Sequence, residues 1–251
     1  MGTLRYLKRG ALAGLAGGVL AGAFGYLLAE PVMDRAVDLE SARQKAAGEH
    51  VMETFSRHTQ HLGFLGATVA VGLALGVLLG VVYALLHRAD PDRDPWRRSL
   101  QLGGSAFFGV YLVPFLRYPA NPPGVGDPGT IDARSHAYLS AVVIGLVGAV
   151  TMALAARHLA ERGWRPSHRQ LAILAIGVLT LTITFVLPDN TDEIGVGAAL
   201  LWQFRLLALA TSVLLWGGLT VTFGLLGERA ADRTGSGSAQ QARRYVGSRR
   251  A

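Results

Sequence analysis

The residues of this chain best suited to hold a metal ion lie between Glu30 and His61. Glu30, Asp34 and Asp38 recur at four-residue spacing. A helix begun at Pro31, where the missing N–H costs nothing, therefore sets three carboxylates along one face. Beyond Gly48 come His50, Glu53, His58 and His61. In helical continuation His58 and His61 are one turn apart, as are His50 and Glu53, the spacing that two ligands of one ion need. Imidazoles with carboxylates suit a borderline divalent cation such as cobalt, nickel or zinc. The same residues also fit a solvated amphipathic hairpin whose charges pair along the helix.

Two further polar stretches and one isolated charge could act with this set. In Tyr118–Pro128, the closely spaced Pro119, Pro122 and Pro123 fix backbone angles and remove donors. Carbonyls around Asn121 and Asp127 are left free to face an ion or pore, or the stretch simply caps the preceding helix. The run from Pro188 to Glu193 is acidic, with no basic residue inside it, and could draw cations by its local potential. Arg205 stands alone inside an apolar run, where a charge costs about 3 kcal/mol on insertion scales. It must snorkel beside Trp202 or pair within the protein; Glu30, Asp34 or an acid of the last outer loop are the expected partners.

These groups have to be positioned by apolar helices. Hydrophobic residues make up 51% of the 251 and charged residues 16%, a balance outside the range of ordinary soluble domains. Six stretches approach the roughly 20 apolar residues that cross a bilayer as helix. They are 10–29, 62–86, 100–116, 137–156, 171–187 and 198–226. The third and fifth are shortest, so a count of five stays open. The first is longer than the apolar region of a signal peptide and reads as a retained span.

Arginine and lysine sort the connecting segments. Arg5, Lys8 and Arg9, the Arg88–Arg98 cluster, the Arg157–Arg169 cluster and the arginines from Arg229 onward mark the cytoplasmic side. Both termini are thus inside, and 30–61, 117–134 and 188–193 are outside. The net charge of +7 follows this alternation and forms no stripe for nucleic acid. The expected fold is all-α: a polytopic membrane bundle in one domain, 1–228, with an outer helical loop at 30–61 and a flexible basic tail at 229–251 that touches anionic lipid. Gly10, Gly14, Gly18 and Gly22, and likewise Gly72, Gly76 and Gly80, line helical grooves for close packing against each other or against a partner.

Several chemistries are excluded by residue type. With no cysteine there is no thiolate metal site, disulfide or cysteine nucleophile. Neither Lys8 nor Lys45 follows a phosphate-cradling glycine loop, and no zinc-protease, nucleophile-elbow or dinucleotide signature occurs. The chain does not read as an enzyme.

Taken together, certain residues resemble those of the CbtA family of probable cobalt transporter subunits. They are Glu30-Pro31 with Asp34-Arg35-Ala36; Ser56-Arg57 with Thr59-Gln60; Tyr111 to Phe115 running into Arg117-Tyr118-Pro119-Ala120-Asn121-Pro122-Pro123; Gly126-Asp127-Pro128 with Thr130-Ile131; and Trp202 with Phe204-Arg205-Leu206. The resemblance implies a bacterial inner-membrane protein of about five spans. It further implies a role in supplying cobalt for cobalamin synthesis, with CbtB, a small single-span subunit bearing a histidine-rich motif, as partner. Glu30, Asp34, Gln60, Asn121, Asp127 and Arg205 occupy the resembling motifs, whereas His50, His58 and His61 fall outside them.

The expected function is therefore a permease subunit admitting a divalent cation, Co²⁺, as transported substrate, with no permanently bound cofactor. Its metal-facing candidates are Glu30, Asp34, Gln60, Asn121 and Asp127, then His58 and His61. Arg205, Pro119, Pro122 and Pro123 shape the outer end. The alternative is a non-transporting scaffold that holds a metal-binding partner in its glycine grooves. The sidedness is directly testable, because introduced cysteines are the only thiols. An impermeant thiol reagent applied outside should label a cysteine near Asn121 and leave one in the tail untouched; outside labelling of the tail would overturn the orientation.

Overall fold

In the computed structural model the described residues are 2–46, 48, 57–87, 94–123, 125–192 and 194–248. His50 and Glu53 lie outside them, as does the side chain of His58. Eight α-helices follow in order: α1 (Gly2–Phe24), α2 (Glu30–Ala46), α3 (Arg57–Leu86), α4 (Pro95–Phe107), α5 (Val113–Arg117), α6 (Ile131–Glu161), α7 (Pro166–Ile183) and α8 (Ala198–Ser248). Among the described residues there is no strand. Six helical stretches are long and apolar enough to cross a membrane: Thr3–Ala46, Thr59–Leu86, Pro95–Arg117, Ile131–Glu161, Pro166–Val186 and Ala198–Arg233. The third and fifth reach 23 and 21 residues because their helices begin five residues before the apolar run does. Among the described residues six helices, not five, are thus long and apolar enough to span.

Two π-turns govern how the chain passes its prolines. Sequence spacing starts a new helix at Pro31, but helix is continuous from Gly2 to Ala46, through a π-turn at Gly25–Ala29. In that turn the Glu30 N–H reaches back to the Gly25 carbonyl. A second π-turn, Phe108–Leu112, has the Val113 N–H on the Phe108 carbonyl and precedes Pro114 by the same two residues. Proline has no N–H to bond and its ring crowds the carbonyl four residues back. The widened turn just ahead absorbs that mismatch and lets the helix run on. Its consequence for Glu30 and Asp34 is that they ride on the end of the first span and not on a separate loop helix.

The backbone of α8 is helical to Ser248. Ala, Gln and Arg residues there are strong helix formers, which outweigh Gly235 and Gly237.

The chain divides into two compact units. The first comprises Met1–Gly22, Gly66–Gly103 and Leu214–Ala251. In it α1 and α3 meet backbone to backbone. A methyl group built on Gly10 would strike the Gly76 carbonyl oxygen, and one on Gly14 that of Gly72; on Gly18 it would lie 2.9 Å from the Val69 Cα. The glycine grooves of the two helices therefore pack on each other. Beside them Tyr6, Ala13, Leu79, Tyr83, Leu219 and Phe223 form the buried core. Arg9, placed by sequence just ahead of the first span, lies inside α1 and is buried. It donates to the Phe223 carbonyl and, at 3.0 Å, to Ser99 Oγ, with its guanidinium 3.8 Å from the Phe223 ring centre. Two acceptors and an aromatic face replace the water that such a cation needs.

The second unit comprises Ala23–Leu65 and Gly104–Val213. Here too small residues set the approach: the backbones of Gly109 and Gly145 touch, and a methyl on Gly148 would collide with Thr180. Phe107, Tyr111 and Phe115 stack one turn apart, at 5.7 and 5.4 Å between ring centres, and the Tyr111 hydroxyl donates to the Ala208 carbonyl at 3.1 Å.

Because the three atoms nearest to a methyl on Gly76 are backbone of Gly10 and Gly14, Gly76→Val should overpack the first unit, at about 1–3 kcal/mol or more. Thermal unfolding of the detergent-purified chain should show it melting several degrees lower or not folding. Gly104→Ala, where no atom lies within 4 Å of the new methyl, should melt like the parent.

Candidate metal centre

All of the segments read as outer belong to the second unit, and their side chains hold one another there. Glu30 and Asp34 stand one turn apart at the start of α2, and His61 in the first turns of α3 meets both. His61 Nε2 lies 3.1 Å from Glu30 Oε2 and 3.3 Å from Asp34 Oδ1. One ligand atom from each residue lies within 4.8 Å of the others. With bonds of about 2.1 Å, neighbouring ligands of a tetrahedral or octahedral ion sit about 3.0–3.4 Å apart, the range of the two His61–carboxylate separations. Side-chain exposures of 10% for Glu30, 23% for His61 and 39% for Asp34 grade the site from a shielded to an open side. The Tyr26 ring stands edge-on to His61 at 6.1 Å and limits its rotation.

Two chemistries are open to this triad. With His61 protonated, the imidazolium is an ion-pair partner for both acids. With His61 neutral, the Nε2 lone pair and two carboxylate oxygens form a nitrogen–oxygen donor set suited to borderline divalent ions. Three protein ligands leave further positions for water, as a cation in transit requires.

The other candidate residues do different work. Asn121 Oδ1 accepts from Arg205 Nη2 at 2.9 Å, and Arg205 Nε donates to the Ala120 carbonyl at 3.3 Å. Among the described residues the guanidinium is thus held by the prolyl loop, where sequence context suggests Glu30, Asp34 or an acid of the last outer loop. Prolines that cannot donate leave that loop's carbonyls available, which is why a cation settles there. Pro122 is buried, and Pro119 and Pro123 partly so, which holds the carbonyl in place. Asp127 turns inward on its own loop: Oδ1 accepts from the Gly129 N–H at 2.7 Å, and its carbonyl accepts from Thr130 and Arg134. Gln60 is exposed, one residue before His61.

Other arginines, which composition marks only as charge, tie the same segments together. Arg117, at the end of α5, donates to the Thr184, Leu187 and Pro188 carbonyls and pairs with Asp189 at 2.7 Å. It supplies further donors at the end of the fifth span, where the Thr184 carbonyl already accepts from the Leu187 N–H and that of Pro188 from the Tyr118 hydroxyl. Arg35 donates to Gln203 Oε1 at 3.0 Å, and Arg43 to the Gly195 carbonyl. Arg35 to Gln203 and Arg205 to Asn121 link the Glu30 and Asn121 segments through α8, so both lie at one end of the second unit. The only sequence signal for Arg117 is its place directly before Tyr118-Pro119, where a helix must stop.

Neither a curated protein nor a solved structure matches the chain. A family model does, over residues 3–228, nearly its full length: that of CbtA, the probable cobalt transporter subunit, and the chain belongs to this family.

Proposed function

We propose that this subunit is itself the permease: it admits Co²⁺ from the outer side of the bacterial inner membrane, for cobalamin synthesis, and receives or passes it with a small single-span partner of the CbtB type. The convergence of Glu30, Asp34 and His61 carries this reading. The ion is cargo, not a resident cofactor. Glu30 and Asp34 supply charge that offsets partial dehydration, and His61 supplies the softer nitrogen that favours cobalt, nickel and zinc over magnesium or calcium. Open coordination positions keep the hold reversible. The scaffold alternative rests on glycine grooves left for a partner, whereas Gly10, Gly14 and Gly18 are occupied by α3.

Two outcomes follow. Glu30→Gln, Asp34→Asn and His61→Ala should each lower cobalt accumulation about tenfold or more in cells at limiting supply, the loss expected for removing one of three ligands. Unchanged accumulation in the triple variant, at equal membrane abundance, would reject the site. A metal ligand must also be unprotonated, so acidification should weaken Co²⁺ binding to the purified chain, which calorimetry can check.

A further inference from the structure

A second feature of the same unit does not suit an ion. Between the Tyr118–Asn121 loop, the first turns of α6 and residues 188–192 runs a groove of about 750 Å³. A divalent cation with six waters, at about 30 Å³ each, fills only about 180 Å³. The groove's wall is mainly apolar, from Pro119, Ile131, Tyr138 and Leu139; among the described lining residues Arg134 is its one cation, and its two carboxylates, Asp189 and Asp192, are paired with Arg117 and Arg134.

Depth and polarity together identify an occupant. α6 has 31 residues, or about 46 Å of helix against about 30 Å of hydrocarbon, which leaves about five residues in the headgroups at each end if it is centred. Arg134, the fourth, then lies among headgroups, and Tyr138 and Leu139 lie just below, where fatty chains begin. From Leu139, 59% exposed, an uncovered apolar track continues through Val143, Val147, Val150 and Leu154. Arg134 stands at the top of this track, its side chain 31% exposed. Its Nη2 donates to the Asp127 carbonyl at 3.1 Å, and its buried Nε, 3.3 Å from Asp192 Oδ2, makes no hydrogen bond. Asp192, its one carboxylate contact among the described residues, already accepts from the Thr130 hydroxyl at 2.9 Å.

We propose that this groove binds one phospholipid, its phosphate at the Arg134 guanidinium and an acyl chain along Leu139 to Leu154. A phosphate oxygen accepts from the arginine, and the track replaces part of the chain's lipid contacts. The site is a fixed lipid position at the outer helix ends and requires only that α6 cross the bilayer.

The test uses the full chain, purified in detergent, stripped of lipid and titrated with dioleoylphosphatidylglycerol. Native mass spectrometry should show one molecule retained per chain, with a melting temperature raised by several degrees. Dioleoylglycerol, which lacks the phosphate, and glycerol 3-phosphate, which lacks the chains, should each fail to reproduce the shift. Arg134→Gln and Ser135→Trp, the latter filling the groove, should weaken retention about tenfold at unchanged helical circular dichroism. Leu139→Ser, on the exposed track, serves if either variant fails to fold. Equal retention by the folded variants would overturn the site; stabilisation by glycerol 3-phosphate alone would overturn the lipid assignment in favour of a free phosphate ester.

Discussion

A helix that ends near the membrane boundary leaves four carbonyls without a partner, and the hydrocarbon below offers none. In the second unit arginines bond carbonyls at such an end and in the loops beyond. Arg117 serves the end of the fifth span, Arg205 takes the loop carbonyl of Ala120, and Arg43 takes that of Gly195. Each guanidinium offers five donors in a rigid fork, so one residue can serve several acceptors where lysine could not. Arg35, Arg43 and Arg117, on the side that the charge bias marks as outer, are thus bonded into the fold. On the cytoplasmic side Arg157, Arg162 and Arg165 are exposed, whereas Arg9 is buried.

The metal-facing triad depends on that fixation. Glu30 and Asp34 stay in register with His61 because α1 passes Pro31 without breaking, through the π-turn at Gly25–Ala29. A broken helix there would free the two acids to point apart. Arg35, on the same turn as Asp34, is held by Gln203, which limits rotation of α2. Membership of the CbtA family of probable cobalt transporter subunits supplies the setting, and Glu30, Asp34 and His61 bring three ligand atoms within 4.8 Å of one another.

Close packing follows a separate rule in the first unit. Lipid is as apolar as leucine, so helices there gain little from greasy contact and much from approach of their backbones. The repeated glycines of α1 and α3 allow that approach, and a single added branch at Gly76 would remove it. Arg9 is the exception that needs local compensation, which Ser99, the Phe223 carbonyl and the Phe223 ring provide.

The all-helical class, the six crossings and the small-residue stripes were legible from residue order, because hydrocarbon thickness and backbone hydrogen bonding act on any apolar run regardless of its neighbours. So was the placement of Glu30 and Asp34 on one helical face, since turn spacing is local. What residue order could not decide was which distant groups meet. His61, outside the family-like motifs, joins the two acids; Asn121 and Asp127, inside them, bond to Arg205 and to their own loop. Nor could it show that Pro31 lies within a continuous helix, because a π-turn depends on packing that accepts a widened coil. Pairings across 27 or 84 positions are fixed only when helices are brought side by side, and that is a property of the tertiary structure.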